Sequence, residues 1–160
     1  MRLNAQTDYS LRILMYLAAK DGKAATIQEV ATKLNLSQTH LMRVAAKLAG
    51  AGLVTATRGR SGGLTLGREA HRITVEDVVR AIEPDFALVQ CLGASTTTCS
   101  IEPACALKGV LLSAIEAFFA ELRSATLADL TLPNRVRLAD IFWLNDPSLR
   151  TGGGPSAGVR

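Results

Sequence analysis

Apolar residues recur at helical spacing along most of the chain, broken once by a pair of alternating stretches, and that order predicts the architecture. Leu11, Leu14, Met15 and Ala18 share one face, which predicts a helix from about Thr7 to Lys20 with Thr7 and Asp8 supplying the N-cap chemistry. Asp21-Gly22-Lys23 ends it. Thr26 with Glu29 three residues later is a capping-box pattern, and it opens a short helix whose apolar face is Ile27, Val30, Ala31 and Leu34. Asn35-Leu36 makes a tight turn, and Ser37 caps the next segment. There Leu41, Val44, Ala45 and Leu48 point one way, while Gln38, Thr39, His40, Arg43 and Lys47 point the other.

Two short helices across a tight turn, the second polar and basic near its start, read as a helix-turn-helix; an ordinary helix pair with a solvated outer face is the alternative. The next stretch separates the two readings. LVTATRG and LTLGR alternate as strands do, around the glycine-rich basic turn Arg58 to Gly63, so a hairpin with Arg58 and Arg60 at its tip follows the helices. A hairpin in that place is a wing, whose glycines allow close backbone approach and whose arginines suit phosphates or a narrow minor groove.

Thr74 and Asp77 form a second capping box, opening a helix with Val75, Val78, Val79 and Ile82 inward; Pro84 stops it. From Ala104 or Cys105 a periodic segment of roughly 20 residues, about 30 Å by helical rise, carries the stripe Leu107, Leu111, Ile115, Phe118 and Leu122. Val110, Ala114, Ala117 and Phe119 widen that stripe beyond what one small domain covers, which predicts a partner subunit. Gly109 lies inside it, at a cost of about 1 kcal/mol relative to alanine unless it serves close helix approach. Val136, Leu138, Ile141, Phe142 and Trp143 suffice for a short packed helix over 134–144, and the tail from Asp146 onward reads as disordered.

The expected fold is mainly α with a small β-hairpin wing: a winged helix-turn-helix domain over residues 1–83, a cysteine loop over 84–105, a dimerisation helix and following turn over 104–130, and a short packed segment then a disordered tail over 131–160. Charge separates along the same lines. Residues 1–80 hold twelve Lys or Arg against six Asp or Glu, net +6, and residues 81–160 are net −2, so the first half suits a polyanion such as nucleic acid. On α-helical reading geometry Gln38, Thr39, His40 and Arg43 are the candidates for base edges, and Ser37, Lys47, Arg58 and Arg60 for phosphates or the minor groove. No apolar run reaches the roughly 18 residues of a membrane span, the N-terminus lacks a secretory pattern, and a reducing cytoplasmic setting is expected. Nothing matches a nucleotide-binding loop, and no nucleophile, base and orienting group stand at readable spacing, so an enzyme is not expected.

All three cysteines, Cys91, Cys99 and Cys105, fall within QCLGASTTTCSIEPAC, whose glycine, serine and threonines favour loop. An odd count in a reducing compartment argues against a disulfide framework. Three thiolates suit zinc or an iron-sulfur cluster with a fourth ligand from elsewhere, the alternative being three unrelated structural thiols.

Taken together, MRLNAQTDYSLRILMYLA, LSQTHLMRVAAKLAGAGLVTATRGRSGGLTL, the three cysteines, PACALKGVL and TLADL resemble, over about Met1 to Leu130, the winged-helix iron-sulfur regulator family that includes the nitric-oxide sensor NsrR and the cluster-homeostasis regulator IscR. The similarity is to the NsrR-type branch. It implies a homodimeric repressor of a near-palindromic DNA operator, with a cluster held by Cys91, Cys99 and Cys105 and a fourth ligand from Asp8, which falls on the position of that branch's aspartate in the first helix. IscR-type members use a histidine three residues after the last cysteine; Lys108 stands there, and neither His40 nor His71 is placed like it. The resemblance therefore implies an oxygen-ligated [4Fe-4S] cluster with nitric oxide as its signal, rather than [2Fe-2S]; regulation by iron or redox status, or a zinc-stabilised module, are the alternatives. Seven residues separate Cys91 from Cys99, more than the family's usual first gap.

Overall fold

Asn4, not Thr7 or Asp8, starts the first helix: in a computed structural model, which describes residues 3–59, 62–93 and 99–144, its side chain accepts from the Gln6 amide at 2.7 Å and the Thr7 amide at 3.0 Å. Helix α1 runs Ala5–Ala19. Thr7 is buried inside it and donates its hydroxyl to Glu83, while Asp8 is exposed and pairs with Arg12 one turn on. The expected cap is displaced because Thr7 has a partner far away in the chain, which local patterning does not register. Packed by several later helices and by the second strand of the wing, α1 buries Ile13, Leu14, Tyr16 and Leu17 as well as Thr7 and Ser10. Of the expected stripe Leu11, Leu14, Met15 and Ala18 only Leu14 is fully buried, because the inward face runs through Thr7, Ser10, Leu14 and Leu17 and widens to Ile13 and Tyr16.

Helix α2 (Ile27–Leu34) begins with half of the expected capping box. Thr26 accepts from the Glu29 amide at 3.1 Å, but the Glu29 carboxylate turns to α1 and accepts from the Tyr16 hydroxyl at 2.6 Å and the Lys20 ammonium at 2.5 Å. Burial pushes Glu29 up, and these bonds outweigh it, so its pKa lies below the ordinary carboxylate value. Asn35 closes α2 in the left-handed region at φ 51°, turning the chain into α3 (Gln38–Gly50). Leu41, Val44, Ala45 and Leu48 are all buried, as their spacing requires. Truncating a leucine as enclosed as Leu48 costs about 2–5 kcal/mol on the scale of core cavities, which is what fixes α3 in orientation.

The hairpin follows where expected. β1 (Val54–Thr57) and β2 (Gly63–Leu66) pair antiparallel with Val54 opposite Leu66 and Thr57 opposite Gly63. Ala25, just ahead of α2, exchanges backbone bonds with Leu64 at 3.0 and 2.7 Å and stitches the wing to the core. A Cβ at Gly63 would meet the Ala25 carbonyl oxygen at 2.7 Å, so glycine is needed for that approach.

Helix α4 (Val75–Ile82) has the full Thr74–Asp77 capping box, with both bonds at 3.1 Å. Beside its apolar face it also buries Glu76, which accepts from Arg80 at 2.8 Å and from Arg123 of α5 (Ala106–Ser124) at 2.6 and 3.0 Å. The Arg80 guanidinium lies 3.7 Å from the Phe119 ring centroid, so one cation serves both the ion pair and the aromatic face. Phe119 is the one residue of α5 that the rest of the chain buries among the described residues; Leu107, Val110 and Leu112 are 50–64% exposed. Gly109 has open space around it, so no close approach within one chain explains it.

Helix α6 (Leu127–Thr131) carries a third capping box, Thr126 with Asp129, and strand-like bonds from Val75 to Ala125 and from Leu127 to Ile73 lash it to the start of α4. Helix α7 (Arg135–Ala139) and the wider turn after it, Asp140–Leu144, bring the Phe142 ring edge-on to Tyr16 at 5.0 Å. Val136 and Ile141 stay exposed, while Phe142 packs against the core. The tail expected to be disordered lies outside the described residues. Among the described residues no helix is long and apolar enough to cross a membrane.

The Arg123 and Arg80 bonds hold Glu76 well below the usual carboxylate range, at about 2. A carboxyl whose folded pKa is depressed stabilises the fold above its unfolded pKa and loses that contribution as pH falls toward the folded value. Thermal melting should therefore weaken between about pH 4.5 and pH 2, and Glu76→Gln should flatten that part of the profile. An unchanged slope in the variant places the acid sensitivity elsewhere.

Candidate functional site

The outer face of α3 carries the residues singled out for base reading. Ser37, Gln38, Thr39, His40, Arg43 and Lys47 are all exposed, because the buried quartet on the opposite side pins the helix by its apolar stripe. Ser37 takes the N-cap position with no side-chain cap bond, which leaves the first turn's amides facing outward beside its hydroxyl. Arg43 and His40 line a recess of about 220 Å³ with Gln6 and Tyr9 of α1. Lys47 donates to the Gln6 side chain at 2.6 Å, so α1 sets where that ammonium stands. Arg58 is exposed at the end of β1, and a 2.9 Å bond from the Gly62 amide to the Gly59 carbonyl closes the turn. Arg60 lies outside the described residues.

Cys91 sits in a single helical turn over Gln90–Leu92, Cys99 accepts through its carbonyl from the Glu102 amide at 3.0 Å, and Cys105 takes the N-cap position of α5. Residues 94–98 lie outside the described residues. All three thiols are free and half-buried. Lys108, one turn into α5, donates to Glu102 at 2.6 Å. That bond and the field of the Glu102 carboxylate raise its pKa. Asp8 is held by both oxygens on Arg12, at 3.0 and 2.8 Å. Among the described residues no group of three or more His, Cys, Asp or Glu is gathered in one chain to hold a metal ion. The donor chemistry fits a thiophilic metal or cluster, since three cysteines with no disulfide between them are sulfur donors of the kind such a group takes. Among the described residues one chain therefore gathers neither the three thiols as a group nor Asp8 with them.

Two contributors escaped the pattern reading. Gln6 precedes the expected helix start and bonds a lysine 41 residues on, and Glu83 ends α4 yet bonds the start of α1. The only local hint was Pro84, which marks Glu83 as a helix end.

Residues 3–132 match the model of the Rrf2 family, described as an iron-dependent transcriptional regulator. This chain belongs to the Rrf2 family. The HTH-type transcriptional regulator NsrR of Bacillus subtilis (strain 168) is 43% identical to it over 131 residues, covering 81% of this chain and 90% of that protein. CymR (YrzC), the global cysteine regulator of B. subtilis, has a solved structure that matches with a TM-score of 0.64 at 28% identity, over 81% of this chain and 95% of CymR. The T. potens IscR structure matches in fold with a TM-score of 0.63 at 24% identity, over 94% of this chain and 96% of IscR. The Rrf2 chain described here is thus a winged-helix DNA-binding transcriptional regulator, and its relatives are regulators rather than enzymes.

Free, half-buried thiols are open to reagent. In reduced, metal-free Rrf2 protein, iodoacetamide should label Cys91, Cys99 and Cys105 without denaturant, read by mass spectrometry. A thiol that labels only after unfolding is a core residue and drops out of the candidate ligand set.

Proposed function

We propose that this Rrf2 protein is a cytoplasmic homodimeric repressor that reads a near-palindromic operator, holds an iron-sulfur cluster of the [4Fe-4S] type on Cys91, Cys99, Cys105 and Asp8, and releases DNA in response to nitric oxide. The observation that carries the reading is the position of Cys105, at the N-cap of the helix whose apolar face the chain leaves uncovered, so that a thiol ligand abuts the surface a second copy would bury. The 43% identity to an NsrR supports the same branch, and Lys108 at the place of the IscR-type histidine removes that ligand.

Each residue then has a defined task. α3 presents Gln38, Thr39, His40 and Arg43 to base edges, while Ser37, Lys47, Arg58 and Arg60 fix register on the phosphates or in the minor groove. α5 pairs two copies and so spaces the two copies of α3, which must match half-sites about one DNA turn apart. Cys105 attaches the sensing segment to α5, and Asp8, supplied across the dimer, attaches it to α1. Arg12 already occupies both oxygens of Asp8, so a carboxylate ligand has to share or surrender one of them, and it is the bond most easily released. When bound, the cluster supplies iron that nitric oxide can attack. Asp8 would hold the group at the first turn of α1, and release of that carboxylate would free the turn whose Gln6 side chain holds Lys47.

The test is an operator gel shift at one fixed salt concentration, comparing anaerobically reconstituted with metal-free protein. The loaded form should bind about 5- to 150-fold more tightly and lose that advantage on nitric-oxide titration. Equal binding by both forms sinks the switch, and a colourless loaded protein points to zinc instead. On the DNA side, Arg43→Ala should relax sequence preference by about 1–3 kcal/mol at one base pair, whereas Lys47→Ala should weaken binding to all sequences and reduce the salt slope by about one. Identical behaviour of the two variants refutes the division of roles.

A further inference from the structure

Glu83 stands where α4 ends and the segment that leads to Cys91 begins, and its carboxylate does not stay on that segment. It accepts from the Asn4 amide at 2.8 Å, from the Asn4 side-chain nitrogen at 2.8 Å and from the Thr7 hydroxyl at 2.5 Å. Thr7 is completely buried, so this bond satisfies a hydroxyl that water does not reach. Asn4 is in turn the N-cap of α1, holding the Gln6 and Thr7 amides, and the Gln6 side chain holds Lys47 on α3. The Asp8 amide donates to the Asn4 carbonyl in the same turn. Hydrogen bonds therefore link Glu83, at the end of α4 and next to the segment that leads to Cys91, through Asn4 and the Gln6 residue of the first turn of α1, to a basic side chain on α3.

A simple helix cap does not need this arrangement. Asn4 alone satisfies the first amides of α1, and any carboxylate near the N-terminus would answer the helix dipole. Placing three acceptor bonds on the residue that joins α4 to the cysteine segment ties the attitude of α1 to the position of that segment. We propose that Glu83 is a positioning residue for regulated DNA binding: it locks the first turn of α1 to the start of the cysteine segment, so that displacement of that segment shifts Gln6 and with it the presentation of Lys47 to phosphate. This inference rests on the cluster-controlled repressor reading above and names the chain's own route from sensor to DNA. The physical warrant is the shared set of bonds, and coupling is what has to be measured.

Wild type, Glu83→Ala, Glu83→Gln and Gln6→Ala are compared as full-length protein, cluster-loaded and metal-free, for operator affinity at one salt concentration, iron content and amide hydrogen exchange. In the metal-free Glu83→Ala variant, the Thr7 and Asp8 amides should exchange about tenfold faster, a readout independent of the cluster. Loaded Glu83→Ala should keep its iron, yet its loaded-to-metal-free affinity ratio should fall to within about twofold of one. Glu83→Gln, which retains an acceptor for the Asn4 amide and Thr7, should keep most of the wild-type ratio, and Gln6→Ala should lose it with iron content unchanged. A wild-type ratio of one overturns the repressor reading and this inference with it. A large wild-type ratio that persists in Glu83→Ala overturns the role of Glu83 alone. Should Glu83→Ala fail to fold, a full ratio in Gln6→Ala overturns the route.

Discussion

Helix α1 is wrapped by α2, α3, α4, α6 and the second wing strand, and nearly every other relation in the molecule is set by how it fills that space. Ile13, Leu14, Tyr16 and Leu17 lock it from several directions, while Glu29, Glu83 and Gln6 fasten its polar edges to α2, α4 and α3. A close-packed helix of this kind has little freedom to tilt without moving its neighbours. Helix α3 therefore inherits its position from α1 on one side and from its own buried quartet on the other.

The second half of the chain is built on a different principle. α5 is anchored to the domain by Phe119 and by the Glu76 network with Arg80 and Arg123, and most of its remaining apolar surface stays uncovered. Cys105 begins that helix, so one thiol stands at the start of the long element whose apolar face stays largely exposed among the described residues. A buried carboxylate with two arginines is costly to desolvate and specific in geometry, which suits a joint that must fix one angle between α4 and α5.

Where periodicity is strong and partners are close in sequence, the pattern of residues predicts the structure well. The faces of α3 and α4, the Thr74–Asp77 box, the hairpin and the length of α5 all follow from spacing, because helical and strand geometry place near neighbours together whatever the rest of the chain does. The departures share one cause. Thr7 serves Glu83 instead of capping its own helix, and Glu29 serves Tyr16 and Lys20 instead of completing its box, because a buried polar group takes the partner that tertiary packing provides.

The amino-acid sequence by itself determined the winged helix-turn-helix, the exposed basic face of α3 and the thiol-bearing stretch that precedes a long apolar helix, since each is written in residues no more than a few turns apart. Tertiary structure alone decided that Asn4 starts α1, that Glu83 bonds Asn4 and Thr7, and that Gln6 holds Lys47. Those relations link residues as far as 79 positions apart, and only a folded core brings such groups within bonding distance.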